Sequence, residues 1–260
     1  MTALLSGLFS GALCGAIGYH VERINATSLS FAVAHAALAG ASIGMVLGVD
    51  ITVSAMFFSI SSAAVLGLLF SRIHWKDLLS MVFFSFFSAL ALLSVYLSTT
   101  NVLATSSVSA VLWGSILAVD TFKLIMLIVS FTAFIAYLFT FRLQIDSILF
   151  DRNLAEAEGV DVYFHTAILL LFAGTAIALT LRITGGFLVF ALLYNPVASA
   201  IQLSSNAKIQ LALSASLGAF SALAGVAVSY VLDLPVGAAI AIVSSTVLIL
   251  TLLKCVLLAH

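Results

Sequence analysis

Ionisable side chains are scarce enough in this sequence to be weighed singly: 9 Lys and Arg, 10 Asp and Glu, and 5 His among 260 residues. His35 lies in the middle of the apolar run 28–49. An ionisable group in hydrocarbon is costly, so its presence there is a functional hypothesis by default. Neutral imidazole suits zinc, manganese(II) or iron(II), and a nitrogen-only donor favours zinc. A site on a permeation route must bind weakly enough to release. One imidazole with backbone oxygens or water fits that need. The competing reading is a histidine that hydrogen-bonds a neighbouring helix. His20 and His74 stand beside Glu22, Arg23, Arg72 and Lys76 and are expected at a membrane boundary, as is His165 at the start of a later run. Asp120 and Lys123, three residues apart, are expected to pair on one helical face. Asp50 is either a solvated helix end or a cation-attracting mouth. Asp233 belongs to the turn DLPVG, and Arg182 can snorkel to a boundary.

No Ser/His/Asp set, paired carboxylates or HExxH occurs at useful spacing, so enzymatic chemistry has little support. The two cysteines, Cys14 and Cys255, lie in apolar runs without a CxxC, which predicts inert buried thiols and no tightly bound cofactor. A net charge of −1 offers nothing to nucleic acid.

The charge that does exist is concentrated. Segment 142–162, RLQIDSILFDRNLAEAEGVDV, holds Arg142, Asp146, Asp151, Arg152, Glu156, Glu158 and Asp161. Within it FDRNLAEAEG predicts a short helix, with Asp151 at its start and Gly159 at its end. Two readings stand: a docking element lying across the cytoplasmic mouth of a helical bundle, or an ordinary solvated loop.

The elements that must position these residues follow from composition. Apolar residues make up 63% of the chain, charged ones 7%, and mean hydropathy is +1.30. A water-soluble fold cannot hide that much apolar surface. Runs near 20 residues match what a helix needs to cross about 30 Å of hydrocarbon. We expect a single all-α transmembrane domain over 1–260, a polytopic bundle spanning at 2–21, 28–49, 52–71, 78–98, 121–141, 163–182, 185–203, 207–230 and 234–256. The first run carries no basic flank and reads as the first span, not a signal peptide. Stretch 102–118 is short and rich in Ser and Thr; it either spans or forms a partial helix buried in protein. If it does not span, Arg23, Arg72, Lys76, Arg142, Arg152, Lys208 and Lys254 share one side, against Lys123 and Arg182. The positive-inside rule favours that arrangement, with nine crossings, the N-terminus outside and the C-terminus cytoplasmic. Gly7, Gly11 and Gly15, and Ala36, Gly40 and Gly44, form small-residue stripes, either for close helix packing within the bundle or as a dimer seam. Gly185, Gly186, Asn195 and Pro196 mark the run 185–203 as a broken helix, with the kink expected at Pro196, either as a pathway feature or as plain structure.

Four patterns, in the same order along about 20–245, resemble the permease subunits of zinc, manganese and iron importers of the ATP-binding-cassette class. They are Ala32, His35, Ala36 and Gly40; Phe150, Asp151, Ala155 and Gly159; Gly186, Leu188, Val189, Ala191, Leu192, Leu193 and Pro196; and Asp233, Pro235 and Gly237. One departure is chemical: the family's aspartate four residues before the histidine is Phe31, which removes a hard oxygen ligand. The resemblance implies a divalent metal ion as cargo, with His35 near its path, in the cell membrane. It implies a second permease subunit, most simply an identical one, and two cytoplasmic ATP-binding subunits docked on Phe150, Asp151, Ala155, Glu156, Glu158 and Gly159. It also implies an extracytoplasmic metal-binding protein that delivers the ion. The chain has no G-x-x-x-x-G-K-[ST] loop, so the ATPase is another polypeptide. The rival is a proton- or sodium-coupled secondary transporter, which usually carries several intramembrane acids; the span centres here hold almost none.

Overall fold

The computed structural model describes residues 2–70, 75–101, 110–115, 120–186 and 189–258. All the regular structure among them is helical. We number the helices α1 (Thr2–Arg23), α2 (Thr27–Leu47), α3 (Ile51–Phe70), α4 (Lys76–Asn101), α5 (Thr121–Thr140), α6 (Arg142–Phe150), α7 (Arg152–Ala157), α8 (Val162–Thr184), α9 (Val189–Leu203), α10 (Ala207–Leu232) and α11 (Val236–Leu258). Eight of these, α1–α5, α8, α10 and α11, are long and apolar enough to cross a membrane. The expected span at 185–203 is a shorter apolar helix, α9, of 15 residues. At 1.5 Å per residue it rises only about 22 Å, less than the hydrocarbon thickness.

The interruption there lies at a glycine. Backbone turns out of helix at Gly185, φ +81°, whereas α9 stays helical through Pro196. The proline removes one N–H from the helix ladder, and the break in the expected run lies ahead of α9. Of stretch 102–118, residues 110–113 are helical and Gly114 turns with φ +80°; 102–109 and 116–118 lie outside the described residues, as do Arg72, His74 and Leu188.

Helix ends are set by short polar side chains. Asp50 accepts the N–H groups of Thr52 and Val53 at 2.8 and 3.0 Å and so caps α3. Asn206 does the same for α10 through Lys208 and Ile209. Asp233, φ +53°, closes α10 in the left-handed conformation that Asp tolerates.

Two compact units divide the chain. One comprises Met1–Tyr19, Ala104–Leu127 and Leu179–His260. In it the glycine stripe of α1 packs on α10: a Cβ on Gly11 would meet the Gly218 carbonyl, and Ser214 Oγ donates to the Gly15 carbonyl at 2.7 Å. The other comprises His20–Leu103 and Ile128–Ala178. Its centre is α2, buried on nearly every side against α3 and α4. Ser54 Oγ donates to the Gly40 carbonyl at 2.6 Å, and a Cβ on Gly40 would press on Phe58. Both stripes therefore bring backbones together, in line with small-residue packing in lipid. Large apolar side chains such as Phe86, Leu92, Phe122 and Phe139 point outward, as a helix facing hydrocarbon requires. Cys14 is buried as expected, but Cys255 is exposed near the end of α11.

Candidate functional site

His35 sits mid-way along α2 and is 7% exposed. Its Nδ1 lies 3.1 Å from the Phe31 carbonyl one turn earlier. A carbonyl can only accept, so Nδ1 carries the proton in this bond, and in a neutral ring the lone pair is then on Nε2. This is the arrangement that holds metal-binding histidines in a defined tautomer. The ring meets Phe84 of α4 edge-on, with centroids 4.2 Å apart. At position 31 the backbone thus contributes an orienting oxygen, while the side chain is a phenyl group. Among the described residues no three His, Cys, Asp or Glu side chains gather into a metal-holding group.

The polar segment forms a compact handle. Asp151 is extended (φ −155°, ψ 118°) and its carboxylate accepts from the N–H groups of Asn153 and Leu154 at 2.8 and 3.0 Å, starting α7. At the other end Gly159 adopts φ +85°, and Val160 N–H reaches the Ala155 carbonyl at 3.0 Å. That 6→1 bond over a left-handed glycine is a Schellman stop. Ser147 Oγ donates to Glu158 at 3.0 Å, tying α6 to the end of α7. The Arg152 guanidinium lies over the Tyr163 ring, 5.3 Å from its centroid. Ala155 is fully buried and anchors the handle; Phe150 (83% exposed), Leu154, Glu156 and Glu158 face outward. Exposed apolar groups thus stand beside carboxylates on this turn.

A third feature was only half legible. Residues 110–115 are stitched to the end of α8: Ser115 N–H donates to the Arg182 carbonyl at 3.0 Å and Gly186 N–H to the Val111 carbonyl at 2.9 Å. Three glycines permit the approach. A Cβ on Gly114 would strike the Ile183 carbonyl, one on Gly185 the Leu112 carbonyl, and one on Gly237 the Thr184 carbonyl. Gly185 and Gly186 stood out in the sequence; Gly114 did not, and its only signal was a glycine beside Trp113 in a Ser-rich run. Non-helical backbone at apolar depth needs such internal pairing. Asn195, further along α9, donates from Nδ2 to Ser245 Oγ of α11 at 3.1 Å, and Ser244 Oγ to the Ala191 carbonyl at 2.9 Å.

Two histidines expected at a membrane boundary stand at helix ends, His20 in the last turn of α1 and His165 in the first turn of α8, and both are covered by protein. His20 is 2% exposed, its ring edge-on to Phe134, and His165 is 5% exposed with Tyr137 beside it. Aromatic neighbours that approach only in the fold cover both. Asp120 and Lys123 pair as expected, at 3.3 Å.

The ABC 3 transport family model matches residues 1–255. The chain belongs to that family. This ABC 3 family member is 28% identical over 254 residues to the manganese transport system membrane protein MntC of Listeria monocytogenes, covering 96% of this chain and 89% of the relative. It is 25% identical over 252 residues to the manganese import system permease protein ScaB of Streptococcus gordonii, covering 96% and 88%. Its fold is similar to a chain of the solved structure of PsaBC from Streptococcus pneumoniae in complex with Fab, with a TM-score of 0.82 at 23% identity, over 96% of this chain and 89% of that one.

Proposed function

We propose that the chain is the membrane permease subunit of an ATP-driven importer for a divalent transition metal ion, zinc, manganese or iron. The observation that carries the proposal is family membership over 1–255, with relatives named for manganese transport aligned along almost the whole chain. The geometry supports it. His35 offers one oriented imidazole in an otherwise apolar span, enough to steer a cation and too little to trap it. The handle at α6–α7 offers Phe150, Asp151, Ala155, Glu156, Glu158 and Gly159 as a docking element for a dimer of ATP-binding subunits. In this reading the break at Gly185 and Gly186, with Asn195 and Pro196 on the helix that follows it, lines the pathway.

In this reading the charge distribution orients the chain with the handle and C-terminus in the cytoplasm and the N-terminus outside, in the cell membrane. An extracytoplasmic metal-binding protein delivers the ion. A second, identical permease subunit pairs with this one, and ATP hydrolysis in the partners rocks the helices between outward and inward access.

Copurification and reconstitution test the proposal. The expected result is a stoichiometric ATPase partner and metal uptake into proteoliposomes that requires ATP; robust uptake by this chain alone would falsify the reading. His35→Ala should lower metal flux and leave assembly intact, and wild-type uptake would retire the ligand role. Replacing Glu156 and Gly159 together should uncouple hydrolysis from transport, and unchanged transport in that variant would remove the docking role.

A further inference from the structure

The handle is an excursion inserted between two long helices. It leaves α5 after Thr140 and re-enters at Val162, the first residue of α8. Its interior is stiff, held by the Asp151 cap, the Ser147–Glu158 bond, the Schellman stop at Gly159 and Arg152 over Tyr163. A side-chain hydrogen bond joins its two ends. Tyr137, in the last turn of α5, and His165, in the first turn of α8, share a hydrogen bond of 2.7 Å between the hydroxyl and Nδ1. The pair is flanked by aromatic rings. Phe141 and Phe164 meet the His165 ring edge-on at 5.2 and 5.4 Å, and Phe172 lies 5.5 Å from the Tyr137 ring.

We propose that the Tyr137–His165 pair is the joint that makes the handle a lever, so that load applied at α7 reaches α5 and α8 together. The physical reason is the cost of opening it. Tyr137 and His165 are both more than nine-tenths buried, so a separated hydroxyl and imidazole nitrogen lose a partner that little solvent reaches to replace. The two ends of the excursion therefore stay closed while its outward face is pushed. Without the bond, the excursion can hinge at Phe141 and Asp161, and a push on Phe150 and Leu154 is absorbed locally. Tyr137 and His165 are positioning residues in this role: neither is placed on the cargo or on the nucleotide. The inference rests on the docking role proposed above.

The test uses the full chain in two settings. In proteoliposomes with the ATPase partner, manganese and zinc ions moved per ATP hydrolysed are measured for Tyr137→Phe, His165→Leu and His165→Asn. Tyr137→Phe and His165→Leu should keep hydrolysis and lower the ions moved per ATP roughly fivefold or more, the scale of one lost buried hydrogen bond. His165→Asn, whose amide can stand where Nδ1 stood, should restore most of the ratio. A wild-type ratio in Tyr137→Phe, or hydrolysis and transport falling in proportion, would overturn the proposal. In nanodiscs with the chain alone, amide exchange over 142–161 should quicken roughly tenfold in Tyr137→Phe while α1 and α10 stay as they were. Unchanged exchange would overturn the joint whatever partner the chain has. A wild-type chain that binds no ATPase would instead overturn the docking role, leaving the exchange result to decide the joint.

Discussion

Substituting glycine with alanine at three positions separates backbone strain from steric collision. Gly159 has φ +85° with nothing within 4 Å of an added Cβ. Gly159→Ala therefore carries only the left-handed penalty, about 1–2 kcal/mol. Gly237 has no positive φ, but an added Cβ would strike the Thr184 and Trp113 carbonyls. Backbone cannot swing aside as a flexible side chain can, so overpacking costs about 1–3 kcal/mol. Gly185 combines both: φ +81°, with the Leu112 carbonyl and Gly114 N–H in the way. The expected cost is the sum, about 2–5 kcal/mol. Reversible unfolding of each variant in mixed detergent micelles, followed by helical circular dichroism, gives the order: Gly185→Ala most destabilised, the other two less. Gly185→Ala within about 0.5 kcal/mol of wild type, the range of an inconsequential surface change, would refute the reasoning. So would a Gly159→Ala cost exceeding that of Gly185→Ala, because open space would then matter more than contact.

Other expectations follow from the helix ends. Asp151→Ala removes the acceptor for Asn153 and Leu154 N–H and should destabilise α7 locally by about 1 kcal/mol; exchange rates at 152–157 report it, and rates equal to wild type would show that α7 starts without its cap. The Asp120 carboxyl is held below the usual carboxylate range, first by the Lys123 backbone N–H and further by the Lys123 ammonium. A depressed acid stabilises the fold above its unfolded pKa and loses that contribution as pH falls through the folded value. Amides in the first turn of α5 should thus stay protected at neutral pH and loosen only in acid, and Asp120→Asn should abolish that pH dependence; equal acid sensitivity in both would place its origin elsewhere. Ser214→Ala removes the 2.7 Å bond to the Gly15 carbonyl and should cost about 1 kcal/mol, read in the same detergent unfolding.

Local chemistry alone was enough for the membrane class, the long helices and the short helix α7, but not for α6, which in sequence is part of a charged loop. Hydrocarbon demands runs of apolar residues with internally satisfied backbone, so the spans are written in composition. Asp151 and Gly159 announce their roles because capping and left-handed turns depend on one residue and its neighbours. The small-residue stripes were legible as stripes, whereas which helix each one meets was not: Gly11 facing Gly218 and Gly40 facing Ser54 are decisions of packing. His165 was legible as the start of a span, whereas its neighbours Tyr137 and Phe141 were not: only the fold brings them to it. Gly185 and Pro196 were both visible in the sequence, whereas the proximity of Leu112 and Gly114 to Gly185 was not. Propensities act between neighbours along the chain. Contact between segments separated by tens of residues is settled only when every helix competes at once for partners, and the tertiary structure alone records the outcome.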